Sequence, residues 1–416
     1  MKKVVISGMI GNALEWYDYA LYAQFATIIA KHFFPESDIR DILTFALFAA
    51  GFVVRPVGGI VFGYIGDRLG RKQALVLGIL IMALPTAGIG LLPGYCTIGI
   101  AAPIILAIIR LLQGFSLGGE FSGCIAYIVE HSQGRYRGLA GSASFVSMSM
   151  GMILGLGVAG AFMRIMDPQD LEDWGWRIPF VLGLFIGLIG LYIRTHLSES
   201  PLYKAAKQRK QLSSRPVRDV FQYHAMALLV ATAAYTTVTA PFYTATVLIE
   251  SFMKTLGYSL KESSLAGTLI LFTSLIVVPI SAWFSDKIGR KPILISGIIL
   301  TIVCVYPAFL LIGSMNYHLA LVGCIGFAAI NAYYMGPVPT VLVEVFPTSI
   351  RFTGIALSYN IAAALFGGSA PMIGTMLVKY TGNKYAISYY LMALGLFSLI
   401  VLYNYKETYK KDLSAE

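Results

Sequence analysis

The stretch GYIGDRLGRK, residues 63–72, returns as AWFSDKIGRK at residues 282–291. Asp67, Gly70, Arg71 and Lys72 fall on Asp286, Gly289, Arg290 and Lys291, all at one constant offset. A second pair follows in the same order. EHSQGRYR (130–137) sets Glu130 and Arg137 seven apart, and EVFPTSIR (344–351) does the same with Glu344 and Arg351. Two motifs repeated in one order imply a duplicated unit. Such internal repeats are a common way of building polytopic membrane proteins.

Composition agrees with a membrane as solvent. The chain has 416 residues, 57% of them hydrophobic, and only 12% are charged, where soluble domains carry about 25%. That apolar surplus exceeds what a globular core can hide. Glycine is frequent, 42 residues, as suits helices that approach closely in lipid. The formal net charge is +10, but the basic residues cluster in breaks between apolar runs. This is a topology signal and gives no basic face for nucleic acid. Cys96, Cys124, Cys304 and Cys324 lie in or beside apolar runs, form no CxxC pair, and read as buried thiols. MKKVVISGMIG at the start resembles a signal peptide, yet its run is long and lacks a clear cleavage site, so it reads as a first helix.

A spanning helix needs about 20 mostly apolar residues. Twelve runs qualify, near 5–30, 42–64, 74–92, 98–129, 139–163, 177–195, 223–250, 264–284, 292–313, 318–345, 352–378 and 387–405. An even number puts both termini on one side. Breaks on that side carry 20 Lys and Arg, including Arg135, against 8 in the opposite breaks, including Arg40. The termini are therefore expected in the cytoplasm. The longest polar break, 196–222, falls after the sixth run. The expected organisation is a first six-helix bundle at 1–195, a cytoplasmic linker at 196–222, and a second bundle with a short tail at 223–416.

Charge inside these runs is costly, about 2.5–3.5 kcal/mol per residue at the helix centre on insertion scales, and so marks function by default. The first half holds Glu15 and Asp18 in run one, Arg55 in run two, and Arg110 and Glu120 in run four. Glu15 and Asp18 are one helical turn apart and share a face. Arg110, Gln113, Leu117 and Glu120 form one stripe on a helix. The second half keeps mainly Glu250 and Glu344, near helix ends. Three acids and two bases leave one net negative charge if all ionise. A carboxylate stripped of water favours its protonated form, so at least one of Glu15, Asp18 and Glu120 is expected to carry a proton. Arg110 or Arg55 would fork onto an anionic group of a substrate. The plainer alternative is that the five pair across helices and fix packing, and Arg55, just before Pro56, is the first candidate for that.

Other residues stay two-sided at this level. Asp67, Arg68, Gly70, Arg71 and Lys72 make a solvated turn, or a latch in which Asp67 accepts from a helix N-terminus and from Arg71. Gln113, Tyr19, Asn331 and Tyr334 are cavity candidates; Asn331, Tyr333 and Tyr334, with Pro337 and Pro339, equally suit a kink. Trp16, Tyr17 and Tyr19 are cavity wall or interfacial belt, and rings of this kind can cage a quaternary ammonium group. Gly155, Gly157 and Gly160 fit GxGxxG, but no strand precedes them, and close helix packing explains them better.

The two D-[RK]-x-G-R-K turns and RLLQG (110–114) resemble the major facilitator superfamily. GNALEWYDYALY (11–22), RLLQGFSLGGE (110–120), DWGWRIPF (173–180) and FPTSIRFTG (346–354) resemble its metabolite:proton symporter branch. That branch includes proline/betaine transporters and permeases for α-ketoglutarate, citrate and related acids. The resemblance runs from about 8 to 405. It implies an all-α membrane protein of twelve helices in two pseudo-symmetric bundles, with a midplane site and alternating access coupled to protons. It places Glu15, Asp18, Arg55, Arg110 and Glu120 in characteristic motifs. Ala282 stands where the first turn has Gly63, which implies a weaker second latch. Osmosensing members carry a long coiled-coil extension after the last helix; the tail here is short, so osmotic gating is not expected.

The expected function is proton-driven import of a small carboxylate-bearing metabolite, either a proline/betaine-type zwitterion or a di- or tricarboxylate. The expected partners are that solute, protons and lipid, with the chain a monomer in a bacterial-type inner membrane. An exporter or antiporter is the alternative, although run five, GMILGLGVAGAF (151–162), lacks the Gly-Pro motif usual in drug antiporters. A transporter-shaped receptor is a third reading. No catalytic triad, metal cluster or phosphate loop is found, so neither an enzyme nor a cofactor is expected.

Overall fold

The computed structural model describes residues 2–36, 40–132, 134 and 136–413. Arg135, and the side chains of 40–46, 48, 49 and 52, lie outside the described residues. Two of the loop charges counted above, Arg40 and Arg135, therefore have no described side chain. Among the described residues the regular structure is helical throughout, without a strand.

The first half builds α1 (Lys2–Phe33), α2 (Arg40–Arg68), α3 (Arg71–Leu91), α4 (Ala101–His131), α5 (Arg137–Ile165) and α6 (Arg177–Thr195). The second builds α7 (Ala225–Thr255), α8 (Leu260–Ile288), α9 (Arg290–Ile312), α10 (Tyr317–Val345), α11 (Arg351–Thr381) and α12 (Ala386–Tyr403). Among the described residues ten helices, α3 to α12, are long and apolar enough to cross a membrane. With α1 and α2 they match the twelve runs. Residues 196–222, read as a plain polar break, contain a short helix at Pro201–Gln208, and a second follows at Pro216–Tyr223.

Gly70 and Gly289 join α2 to α3 and α8 to α9 with φ of 126° and 109°. A side chain at either position would be strained, which is why both turns keep glycine. Within each half, neighbouring helices approach through small residues. A methyl added to Gly114 of α4 would lie 2.6 Å from the Gly51 Cα of α2. Gly155 is likewise held against Tyr17 and Ala20 of α1, but Gly157 and Gly160 face open space. Close packing thus accounts for one glycine of that trio.

Between the halves, α2 packs along α11 and α5 along α8. Each contact joins a second helix of one half to a fifth helix of the other, as a twofold pseudo-axis requires. Two helices bordering the interior depart from α geometry. A π segment at Thr244–Leu248 follows Pro241 in α7, and another spans Ala363–Gly367 in α11. Such bulges recur at functional sites. Against the reading of four buried thiols, Cys304 is half-buried, and Cys96 is exposed because it falls on the short helix Tyr95–Ile98 between α3 and α4.

Candidate functional site

Four of the five mid-helix charges meet at one cavity. Glu15, Asp18, Arg55, Arg110 and Gln113 line it together with Trp16, Tyr19, Gly51, Met82, Leu117 and Tyr243. Its space outside atoms is about 460 Å³, part of it open. A second cavity of about 240 Å³ adjoins it, sharing Trp16 and Tyr243 and lined further by Met148, Tyr235, Phe242 and Tyr359.

Helix spacing explains the wall. On α1, Glu15 and Asp18 point to one side, and on α4, Arg110, Gln113 and Leu117 do the same. Asp18 is fully engaged. It accepts from Arg110 Nη1 at 2.9 Å and from Gln113 Nε2 at 2.9 Å, and Gln113 also donates to Thr86 at 2.9 Å. The Tyr22 ring lies under the Arg110 guanidinium, 3.5 Å from its centroid. Arg110 still leaves Nε and Nη2 without a hydrogen bond, and Glu15 leaves both carboxylate oxygens without one. Both residues are buried. Unspent charged donors and acceptors in such a place are expensive, and a ligand group or a proton would relieve them.

Arg55 reaches across the molecule. From α2 it donates to Tyr359 of α11 and, at 3.4 Å, to Tyr243 of α7. Its guanidinium stands 5.0 Å from the Tyr359 ring centroid. Aromatic rings continue from there: Tyr235 and Phe121 each lie 4.8 Å from Tyr359, and Trp16 lies 5.4 Å from Tyr19 and 5.5 Å from Phe242.

Glu120 stands apart from the stripe assigned to it. It lines neither cavity, and both its oxygens accept from Arg194 of α6. Arg194 donates further to the carbonyls of Leu75 and Ser7. The pair ties four helices together. It also corrects the charge balance: Arg194, in the last turn of α6, answers Glu120, so that Glu15, Asp18 and Glu120 are matched by Arg55, Arg110 and Arg194. Asn331 and Tyr334 lie outside both cavities too. Tyr334 packs on Gly297 and donates to the Ala234 carbonyl at 2.9 Å, a packing role.

The repeated turns meet at the end that carries both termini. Asp67 accepts from the Phe352 and Thr353 backbone at 3.1 and 2.9 Å, at the start of α11. Arg71 binds Asp67 at 2.9 Å and Glu130 at 3.1 Å, and Arg351 binds Glu130 at 3.0 Å. The second copy mirrors the first. Asp286 accepts from the Gly138 and Leu139 backbone at 2.8 Å each, at the start of α5. Arg290 binds Asp286 at 2.7 Å and Glu344 at 3.4 Å, and Arg137 binds Glu344 at 2.9 Å. Acids at helix N-termini are favoured by the exposed N–H groups and the dipole. Lys72 and Lys291 donate to the Thr195 and Tyr403 carbonyls, at 2.7 Å each. Arg68 takes no part: its side chain is exposed, beside Tyr64.

Sequence reasoning missed a further layer. Glu199 accepts from the Lys72 backbone, and Ser200 donates to Glu130. Glu407 accepts from the Arg290 and Lys291 backbone, and Thr408 donates to Glu344 at 2.6 Å. The signal is there as Glu-Ser after the sixth run and Glu-Thr after the twelfth. Arg194, at the end of run six, falls in neither loop count. Tyr243 and Tyr359 carry no local signal, because they meet Arg55 only through the tertiary fold.

A model of the major facilitator superfamily matches residues 8–362 and 232–414. A "putative proline/betaine transporter" of Staphylococcus haemolyticus is 36% identical, over 96% of this chain and 86% of that protein. The "proline/betaine transporter" of Escherichia coli K12 is 33% identical, over 99% of this chain and 85% of that one. Among solved structures, the proton:xylose symporter XylE bound to 6-bromo-6-deoxy-D-glucose superposes with a TM-score of 0.82 at 19% identity, covering 99% of this chain and 97% of its own. The human organic anion transporter MFSD10 gives 0.68 at 15% identity, with 96% and 99% covered. Both structures speak for the fold. The chain belongs to the major facilitator superfamily and is a metabolite transporter of the membrane.

Proposed function

We propose that this transporter imports a small zwitterion of the proline/betaine type, driven by protons, through a cavity between residues 1–195 and 223–416 that opens to one side at a time. The observation that carries this reading is that one cavity is lined by two unspent Arg110 donors and two unspent Glu15 oxygens. The Arg110 fork takes the cargo carboxylate. Asp18 and Gln113 hold that fork in place. Glu15 takes the proton.

Charge balance links the two events. Glu15 and Asp18 offset Arg55 and Arg110 at the cavity, while Glu120 is already answered by Arg194. One proton on Glu15 leaves one positive charge over, on the Arg110 side, which the cargo carboxylate answers locally while the cationic head of the zwitterion lies against the rings. The rings of Trp16 and Tyr19 suit a cationic head, through the attraction of a cation to ring faces. A di- or tricarboxylate has less support, since Arg55 is committed to tyrosines. The names of the relatives point the same way. Asp67, Asp286 and their arginines latch the cytoplasmic side of a bacterial inner-membrane monomer, and residues 196–222 link the halves.

The test is uptake into liposomes under an inward proton gradient, with labelled proline, glycine betaine, α-ketoglutarate and citrate. Concentrative uptake of the zwitterions, abolished by a protonophore, is expected. Uptake indifferent to the protonophore would refute proton coupling.

A further inference from the structure

A cation of the first half sits among the aromatic side chains of the second. Arg55, on α2 and 3% exposed, is engaged by the hydroxyls of Tyr243 and Tyr359 and lies over the Tyr359 ring. Meanwhile Glu15, on α1 and 2% exposed, lines the same cavity as Arg55 and accepts no hydrogen bond. A bare carboxylate beside a guanidinium that prefers neutral hydroxyls is hard to reconcile with an ionised Glu15. An ionised acid would draw the guanidinium to itself, because an ion pair adds a charge–charge attraction that a neutral hydroxyl lacks, and that attraction is strong where water is scarce. The arrangement is that of a proton-loaded Glu15.

We propose that Arg55 is the coupling residue of this transporter, changing partners with the proton on Glu15. With Glu15 protonated, Arg55 lodges against Tyr243 and Tyr359 and ties the two halves at mid-depth. When the proton leaves Glu15 for solvent, Arg55 swings back to the carboxylate within the first half, and the tie is released. The proton thereby acts on the relation between the halves without touching the cargo. This inference rests on the reading of Glu15 as the proton site.

The surroundings leave Arg55 as the mobile member. Asp18 and Tyr19 share α1 with Glu15, but Asp18 is committed to Arg110 and Gln113. On α4, Glu120 is locked to Arg194, and Cys124 lies beside that pair. On α7 and α11, the uncharged Tyr235, Tyr243 and Tyr359 line the two adjoining cavities. Helix α5, packed along α1, has its charges only at its ends, Arg137 and Arg164. Arg55 shares the cavity with Glu15, and its hydrogen-bond partners Tyr243 and Tyr359 are neutral hydroxyls.

The discriminating variant is the double substitution Tyr243→Phe with Tyr359→Phe, which keeps both rings and removes both hydroxyls. It is compared with Arg55→Gln and Arg55→Lys, using labelled proline or glycine betaine in liposomes. Binding affinity, cargo exchange at equal pH from 5.5 to 8.5, and uphill uptake are measured. The tyrosine pair variant and Arg55→Gln are expected to bind cargo within about threefold of the wild type and to exchange it. Their exchange should lose its pH dependence, and uphill uptake should fall at least tenfold. Arg55→Lys, which keeps the charge but not the fork, should recover part of the pH response. Unchanged uphill uptake in the tyrosine pair variant would overturn the proposal, as would equal loss of binding and uptake. If the wild type itself shows no proton-driven uptake, the functional reading fails first, and the two failures are told apart.

Discussion

The Thr353 backbone N–H donates to Asp67 Oδ2 at 2.9 Å, so an acid of the first half caps a helix of the second. The second repeat returns the contact, where Asp286 caps α5 through Gly138 and Leu139. Each half therefore holds the other by the same device. An acid at a helix N-terminus contributes about 0.3–1 kcal/mol when exposed and up to about 2 kcal/mol when partly buried. Two latches together can bias a two-state equilibrium by a hundredfold or so, yet each is weak enough to break within a transport cycle.

Asp67→Asn keeps a side-chain acceptor but removes the charge. Cargo affinity should stay within about twofold, while the terminal end opens more often, by roughly tenfold for about 1.4 kcal/mol. Labelling of a cysteine placed beside Thr353 reads this opening. Asp286→Asn should act alike, and the double variant should open further. An Asp67→Asn protein that loses cargo binding would place Asp67 in the binding site instead.

Arg110→Ala should abolish measurable cargo binding, a loss of at least about 3 kcal/mol for two charge-assisted hydrogen bonds. Arg110→Lys keeps the charge but cannot fork, and should bind roughly tenfold more weakly. Equilibrium binding to protein in detergent checks both. Normal affinity in the alanine variant would exclude the clamp.

Glu120→Gln should show up in stability and leave proton coupling intact. Breaking one side of a buried ion pair costs about 3–5 kcal/mol, so the melting temperature should fall clearly. Replacing both partners, Glu120→Leu with Arg194→Met, should restore much of it. Loss of pH-dependent exchange in a stably folded double variant would return Glu120 to the proton path.

Trp16→Leu should weaken cargo only where the cargo carries a cationic head. A desolvated cation–π contact is worth about 2 kcal/mol, or roughly thirtyfold in affinity. Competition by glycine betaine should drop by that order, while a carboxylate of similar size without the nitrogen is barely affected. Equal weakening of both would assign Trp16 to packing.

Much of this arrangement is legible in the chain. The offset pairs Asp67/Asp286 and Arg71/Arg290 reveal the duplication, and apolar run lengths reveal twelve helices, because both signals are local. The acids of α1 and the stripe of α4 can be placed on helix faces by spacing alone. Glu120 misleads, because spacing fixes a face but not depth, and its partner Arg194 lies far along the chain on another helix. Tyr334 misleads for a similar reason: its hydroxyl finds a backbone carbonyl of α7. The Arg55–Tyr359 contact joins residues distant in sequence, and no periodicity reports such a meeting.

The most direct measurement is uphill uptake of labelled glycine betaine or proline into liposomes under an imposed proton gradient, with proton influx recorded in parallel, for the wild type and Glu15→Gln. The expected result is concentrative uptake by the wild type with about one proton per cargo, and mere equilibration by Glu15→Gln with exchange retained at every pH. Concentrative uptake by Glu15→Gln at the wild-type level would contradict Glu15 as the proton carrier and the charge balance built on it.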